Sequence, residues 1–278
     1  MSVRTDPSQE SEIEEIAADE IGDLTASSRD YVNALARGLE VITVFTRFTP
    51  KMTLSEIAQA TGMTRATARR FLLTLVHEGY VDISGKHFSL TPKVLQLGFS
   101  ALSSMDLWDV AQPVMNDLSE KLSESCFSAV LDDQSVIYVA RATPNNRRVN
   151  VGISIGSRVP AYCVSTGRVL LAALPEEDVH RYIEDMVFTK FTPNTITSKV
   201  QLRSLLDEVR RQGWSIVDQE LEVGLRSLSV PIRDGAGQIV AALNVCCPST
   251  RISLDDMKTR ILAMTLEASR NITRALHR

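Results

Sequence analysis

A short helix, a glycine turn and a second helix in residues 54–77 constrain the fold of this chain more than any other stretch. The first helix begins near Leu54 and has apolar residues at helical spacing. Thr61-Gly62-Met63 follow it, and the glycine can adopt the positive φ that ends a helix. Thr64 then offers an N-cap for the second helix. The pattern predicts a helix-turn-helix.

A β-hairpin is expected directly after the second helix. Residues 79–83 and 86–90 alternate in the manner of two short strands, and Ser84-Gly85 lies between them as a turn. A hairpin in this place is the wing of a winged helix-turn-helix.

The second helix carries a basic outer face. Ala68, Leu72 and Leu75 recur at helical spacing and predict its buried face. The residues of the opposite face are Thr64, Arg65, Thr67, Arg69 and Arg70. Arginine and threonine side chains suit the phosphates and base edges of a major groove. A basic face is more often simply solvated, but the order of helix, turn, helix and hairpin favours nucleic-acid binding.

The distribution of charge supports this interpretation. The chain has 278 residues and a formal net charge of −4. Residues 1–28 contain eight acidic and one basic residue, whereas residues 29–93 contain nine basic and five acidic residues. The first folded module is therefore positive, as a DNA-binding module should be. We expect residues 1–28 to be an acidic, disordered tail.

The remaining composition excludes several classes of protein. No apolar run of 18 residues and no N-terminal signal segment is present, so we expect no membrane contact and a cytoplasmic location. The four cysteines lack the spacing of a metal or disulfide framework. No histidine adjoins a serine or cysteine as a base would, and no glycine-rich phosphate loop occurs. We therefore expect no enzyme activity, no metal and no cofactor.

The sequence indicates an α+β fold of two domains. We expect a winged helix-turn-helix domain at 29–90, a linker helix at 91–106 and a second domain at 107–278. Apolar residues of the linker helix, among them Leu95 and Leu97, favour a dimer contact. In the second domain, helices separate strands that are paired by hairpins. The strands are expected at 126–131, 135–140, 149–153, 214–219, 225–232 and 238–247.

Several motifs resemble a known family. They are Arg37-Gly38-Leu39-Glu40-Val41, the helix-turn-helix, residues 90–98, residues 156–162, Ser165-Thr166-Gly167-Arg168 and residues 218–227. With these motifs the chain resembles the IclR-type bacterial transcriptional regulators over residues 30–277. Residues 28–32 and 64–75 resemble the members that regulate aromatic-acid catabolism through the β-ketoadipate pathway. The resemblance implies a GAF-like effector-binding domain and a homodimer or dimer of dimers.

Strand alternation offers its own argument for a pocket. Leu225, Ser227 and Ser229 share one face of a strand, and Asn244 and Cys246 share one face of the expected partner strand. Buried polar groups need hydrogen-bond partners, which a bound small molecule could supply. For each residue taken alone, a polar group satisfied within the core is the alternative.

The family pattern points to the same region. It places the effector pocket at Ser165, Thr166, Asp218, Leu225, Ser227, Asn244 and Cys246. The helix N-terminus at Ser165-Thr166 suits a carboxylate. Arg158 and Tyr162, just before it, are expected to add a charged clamp and an aromatic wall. Arg226 should point away from Ser227 and pair with Asp218 or Glu220. The candidate effector-binding residues are Arg158, Tyr162, Ser165, Thr166, Asp218, Leu225, Ser227, Ser229, Asn244 and Cys246.

The helix-turn-helix and the polar strand faces predict a ligand-responsive DNA-binding protein, and the resemblance implies a transcriptional regulator of protocatechuate or β-ketoadipate pathway genes. Its partners would be double-stranded operator DNA, a small aromatic or dicarboxylic acid, and further copies of the chain. Two alternatives stay open: an IclR-type regulator of another carboxylic-acid pathway, and a metabolite-binding module or enzyme with incidental DNA contact.

Overall fold

A computed structural model describes residues 28, 30–46, 48–98, 107–145 and 152–276 of the chain. The chain divides into two compact units, Met1–Ser100 and Ala101–Arg278. The sequence expectations for the tail at 1–27, the linker at 99–106 and most of the strand at 149–153 lie outside the described residues. Gly152 and Ile153, the described end of that expected strand, do not form a strand.

The first unit is a winged helix-turn-helix. Its elements in chain order are α1 (Asn33–Thr43), β1 (Met52–Thr53), α2 (Leu54–Ala60), α3 (Arg65–His77), β2 (Val81–Ser84) and β3 (His87–Leu90). The three strands form an antiparallel sheet in the order β1-β3-β2. Val41, Ile57, Leu72 and Val81 from four elements form the centre of its core.

Local signals set the ends of the helices. Thr53 and Glu56 form a capping box at the start of α2, in which the Thr53 N–H donates to the Glu56 carboxylate at 2.7 Å. Gly62 has a φ of 63° and makes the turn. The Thr64 side chain accepts the Thr67 N–H at 3.2 Å, which confirms Thr64 as the N-cap of α3.

Two expected boundaries in this unit were wrong, and one strand was not predicted. The hairpin turn is Gly85-Lys86, because Ser84 pairs with His87 and Gly85 takes a φ of 62°. The preceding strand begins at Val81, since Gly79 and Tyr80 bond back to the last turn of α3 and end that helix. The strand β1, too short to show a pattern of its own, was missed.

The second unit is a six-stranded antiparallel sheet with helices on both faces. Its elements are α4 (Leu107–Leu122), β4 (Ser125–Asp132), β5 (Ser135–Ala142), β6 (Arg158–Pro160), α5 (Ser165–Leu171), α6 (Glu176–Asp185), α7 (Lys199–Gln212), β7 (Ser215–Asp218), β8 (Leu225–Arg233), β9 (Ile239–Pro248) and α8. The closing helix α8 comprises Leu254–Asp256, a π-helical turn at Met257–Ile261, and Leu262–Leu276. The sheet order is β6-β5-β4-β9-β8-β7.

The two faces of this sheet have separate cores. The helices α4 and α8 pack on one face, against residues such as Leu228 and Leu243. Residues of α5, α6 and α7 form the core on the other face, together with Phe127, Tyr138 and Cys246. This arrangement confirms the α+β fold with hairpins β4–β5 and β8–β9. No helix within the described ranges has the length and apolar character of a membrane span.

Candidate DNA-binding helix and effector site

The arginines of α3 form an exposed basic surface. Arg65, Arg69 and Arg70 are exposed. None of their guanidinium groups makes a hydrogen bond or ion pair with the part of the chain that the structure describes. Arg65 and Arg69 lie one turn apart on the same side of the helix, so both can face one groove. Thr64 and Thr67 instead bond to each other at 2.9 Å as part of the cap.

The tip of the wing was missed as a candidate contact. Every residue from Asp82 to His87 is exposed, and the turn contains Lys86. The sequence signal for such a contact was the lysine in the two-residue hairpin turn, since a wing tip that touches DNA contacts its phosphates.

Five of the residues expected in the effector site converge in the second unit. We call Ser165, Ser227, Ser229, Asn244 and Cys246 the polar cluster. The Ser165 hydroxyl donates to Ser227 at 2.8 Å and lies 2.8 Å from the Ser229 hydroxyl. The Asn244 amide donates to both Ser165 and Ser229 at 3.0 Å. The Cys246 thiol donates to the Asn244 carbonyl oxygen at 2.9 Å.

Strand register and one glycine assemble this cluster. Ser227 lies opposite Cys246 and Ser229 opposite Asn244, so all four side chains share the face beneath α5. At Gly167 of α5, a Cβ would lie 2.1 Å from the carbonyl oxygen of Ala161. Only glycine therefore allows α5 to pack this closely against the chain that precedes it.

The polar cluster satisfies its own hydrogen bonds. Ser165, Ser229 and Asn244 are 0% exposed, and their side chains bond to one another. The alternative of polar groups satisfied within the core therefore describes these three side chains, and a ligand is not required to complete their hydrogen bonds. Spare capacity exists all the same, because each serine hydroxyl has two acceptor lone pairs and one donor. Burial raises the pKa of the Cys246 thiol to about 12, so it stays protonated as a donor.

Two aromatic residues beside the cluster were not predicted. The Tyr138 hydroxyl lies 3.3 Å from the Thr166 hydroxyl, and the Tyr138 ring meets Phe127 edge to face at 5.6 Å. Burial raises the pKa of Tyr138, so this hydroxyl stays protonated. Leu225 also packs on this side of the sheet, as expected. Alternation alone could not reveal these aromatic neighbours because the pairing of β4 with β9 links distant parts of the chain.

Three expected site residues lie elsewhere. Asp218 is on the opposite face of the sheet, because Val217, and not Asp218, is opposite Ser227. The Arg226 Nε donates to the Asp218 carboxylate at 2.6 Å, which confirms the expected pairing. Arg158 is exposed and pairs with Asp132.

Tyr162 holds a loop and does not line the cluster. Its hydroxyl donates to the Thr189 carbonyl oxygen at 2.7 Å and accepts the Thr189 N–H at 2.8 Å. Its ring meets Phe188 edge to face at 5.0 Å. These contacts tie the segment after α6 to the chain before α5.

A buried ion pair between Arg168 and Glu220 also holds α5 in place. The Arg168 guanidinium donates to the Glu220 carboxylate at 2.7 Å, and both side chains are almost fully buried. Arg168 also donates to the Tyr162 carbonyl oxygen at 2.9 Å, and Glu220 accepts the Ile196 N–H at 3.2 Å. This pair joins α5 to two loops and thereby holds Ser165 in place.

Comparisons with known proteins agree with this architecture. Residues 34–82 match the family described as the IclR helix-turn-helix domain, and residues 99–274 match the bacterial transcriptional regulator IclR C-terminal family. The Pca regulon regulatory protein of Pseudomonas putida is 40% identical over 89% of this chain and 85% of its own length. The p-hydroxybenzoate hydroxylase transcriptional activator of Acinetobacter baylyi is 35% identical over 88% of this chain and 93% of its own.

A solved structure matches the second unit. It is the inducer-binding domain of a double mutant of the PobR transcription factor from Acinetobacter, in complex with 3-hydroxybenzoic acid. It is 30% identical, with a TM-score of 0.57, over 59% of this chain and 96% of that one. The matching families and relatives are DNA-binding transcriptional regulators and not enzymes. This chain therefore belongs to the IclR family of bacterial transcriptional regulators.

Proposed function

We propose that this protein regulates genes of aromatic-acid catabolism in response to a small hydroxylated aromatic acid. The acid binds beside the polar cluster, between α5 and the strands β8 and β9. One observation carries the proposal: buried polar side chains from three elements converge within one apolar core, next to Phe127 and Tyr138. A relative that is the transcriptional activator of p-hydroxybenzoate hydroxylase, and the PobR inducer-binding domain solved with 3-hydroxybenzoic acid, support the aromatic class of ligand.

The polar cluster suits ring hydroxyl groups. A phenolic hydroxyl can donate to a serine lone pair and accept from a serine or thiol hydrogen, because serine hydroxyls rotate to suit their partners. A site built to bind a hydroxyl discriminates strongly against analogues that lack it, since its polar groups are then left unpaired. Ser165, Thr166, Ser227, Ser229, Asn244 and Cys246 are the residues proposed for this role, with Leu225 at the margin.

Calorimetry with protocatechuate, 4-hydroxybenzoate and β-ketoadipate tests the proposal. We expect a hydroxylated aromatic acid to bind, and an Asn244→Leu variant to bind it about tenfold or more weakly, through the loss of one to two hydrogen bonds. A cooperative thermal unfolding transition of the variant, measured without ligand, shows that it is folded. If the folded wild-type chain binds only β-ketoadipate or another aliphatic acid, the aromatic class is wrong, although the protein is still a regulator.

We propose that α3 lies in the major groove of operator DNA, while Arg70 and the wing contact phosphates of the DNA backbone.

We further propose that the protein acts in the cytoplasm as a dimer or dimer of dimers, because two recognition helices read paired half-sites. The exposed side chains of Leu35 (64%) and Leu39 (51%) on α1, and of Leu97 (53%), support a contact between copies. Sedimentation of the full chain should show at least a dimer, and a monomer would contradict this.

A further inference from the structure

The helix α3 ends in a glycine turn that bonds back to the helix. Gly79, with a φ of 76°, donates its N–H to the Val76 carbonyl oxygen at 3.0 Å. The Tyr80 N–H donates to the Leu75 carbonyl oxygen at 2.9 Å. These two bonds form a Schellman motif, in which the residues after a helix close over its last turn. The glycine turn therefore belongs to α3 and moves with it.

The chain bonds to this turn again as it leaves the wing. The Thr91 hydroxyl donates to the Gly79 carbonyl oxygen at 2.6 Å, and the Thr91 N–H donates to the Tyr80 carbonyl oxygen at 2.9 Å. The Lys93 ammonium donates to the Glu78 carbonyl oxygen at 2.7 Å. We call Thr91 and Lys93 the exit clamp, because they bind three successive carbonyl groups at the end of α3.

The chemistry of Lys93 suits the end of a helix. The last carbonyl groups of a helix carry a partial negative charge, which favours a cation nearby. The Lys93 ammonium also lies 4.7 Å from the centre of the Tyr80 ring, as a cation–π contact. The stem of the lysine passes over the turn, since a Cβ added at Gly79 would lie 3.7 Å from its Cδ. Lys93 therefore contacts the turn with its stem as well as its charge.

The exit clamp shortens the path between the linker and α3. Along the backbone, α3 and Thr91 are separated by the whole hairpin of β2 and β3. The exit clamp joins them directly, and Pro92–Val94 continue from it as a 3₁₀ turn with Thr91 as N-cap. A displacement of the chain that follows this turn is thus passed to α3 without involving the exposed wing.

We propose that the exit clamp transmits the binding of the effector from the linker to α3, with Thr91 and Lys93 as positioning residues of the DNA-binding helix; this inference rests on the proposed function. The contacts are strong enough for this role. One net hydrogen bond changes an equilibrium by about two- to tenfold, so the two side-chain bonds of the exit clamp account for about 4- to 100-fold together. Coupling between two binding sites is usually about 5- to 150-fold.

The test measures the coupling factor, by which saturating 4-hydroxybenzoate changes the dissociation constant of the full chain for DNA. The DNA is a duplex that the protein selects from a random pool, and fluorescence anisotropy gives both constants. We expect the double variant Thr91→Val with Lys93→Met to have a coupling factor within about twofold of 1. Calorimetry should show that its affinity for the acid stays within about threefold of the wild type, because both substitutions lie in the first unit.

Three single variants separate the exit clamp from general effects of charge. Lys93→Met should lower the coupling factor by about threefold or more, and it decides if the double variant does not fold, since Lys93 is exposed. Lys93→Arg keeps a cation that can donate to the Glu78 carbonyl oxygen and lie over Tyr80. Lys51→Met removes another exposed lysine of the first unit. The last two variants should have coupling factors within about twofold of the wild type.

The contrary results differ from one another. A coupling factor in the double variant within about twofold of the wild type would overturn the inference and leave the proposed function intact. DNA binding that weakens equally with and without the acid would show that the exit clamp only supports the fold, which also overturns the inference. If the wild type binds the acid without a change in its DNA affinity, the proposed response is absent, and the proposed function and the inference both fail.

Discussion

Replacing Arg168 with methionine should lower the free energy of unfolding of the second unit by about 3–5 kcal/mol. The substitution leaves the Glu220 carboxylate buried without its cation, and it also removes a donor from the Tyr162 carbonyl oxygen. Uncompensated charge in a core is far more costly than the loss of an exposed ion pair. Chemical denaturation of the wild type and the variant measures the difference.

Two controls identify the cause. Arg158→Met removes the exposed pair with Asp132 and should cost at most about 1 kcal/mol. The double variant Arg168→Met with Glu220→Gln should recover a large part of the loss, because no unpaired charge then stays buried. A loss for Arg168→Met as small as that of Arg158→Met would mean that the buried pair does not hold α5 in place.

Each of the substitutions Arg65→Ala and Arg69→Ala should weaken specific DNA binding by about 1–3 kcal/mol if the arginine side chain reads a base. If it contacts a phosphate instead, the salt dependence of binding should become shallower by about one unit of slope. Both arginines are exposed on one side of α3. Fluorescence anisotropy with a duplex selected by the protein from a random pool, at several salt concentrations, measures affinity and slope together.

Arg37→Ala is the matched control for DNA binding. Arg37 is also an exposed arginine of the first unit, but it lies on α1 and pairs with Glu40 at 3.2 Å. We expect its affinity for the duplex to stay within about twofold of the wild type. Unchanged affinity and salt slope in Arg65→Ala, Arg69→Ala and Arg70→Ala would contradict the role of α3.

Sequence patterns predicted the features that depend on neighbouring residues. The N-cap at Thr64 and the glycine turn at Gly62 are such features, because each is set within four residues. The closing helix begins with a local signal of the same kind, in which the Ser253 hydroxyl accepts the Asp256 N–H at 3.0 Å. The alternation that placed Ser227 and Asn244 on one face of the sheet also held, since β8 and β9 are joined by a short hairpin.

Features that depend on distant pairing could not be predicted. The sequence suggested Arg158 as a clamp because it lies close to Ser165 in the chain, but its partner Asp132 belongs to β4, on the far side of a hairpin. The face of the sheet on which Arg141 lies could not be predicted either, because a β-bulge opposite Ser128 and Ala129 interrupts the alternation of β5. The family pattern grouped Ser165 with Asn244, 79 positions away, but it could not reveal that the two side chains bond to each other.

If the protein responds to an aromatic acid as proposed, the acid bound in the second unit changes the affinity of α3 for DNA. It is tested by measuring the affinity of the wild-type chain for its selected duplex, with and without 4-hydroxybenzoate at a concentration that calorimetry shows to be saturating. We expect the affinity for DNA to change by about 5- to 150-fold, the usual range for coupling between two sites. An unchanged DNA affinity in the fully bound protein would contradict it.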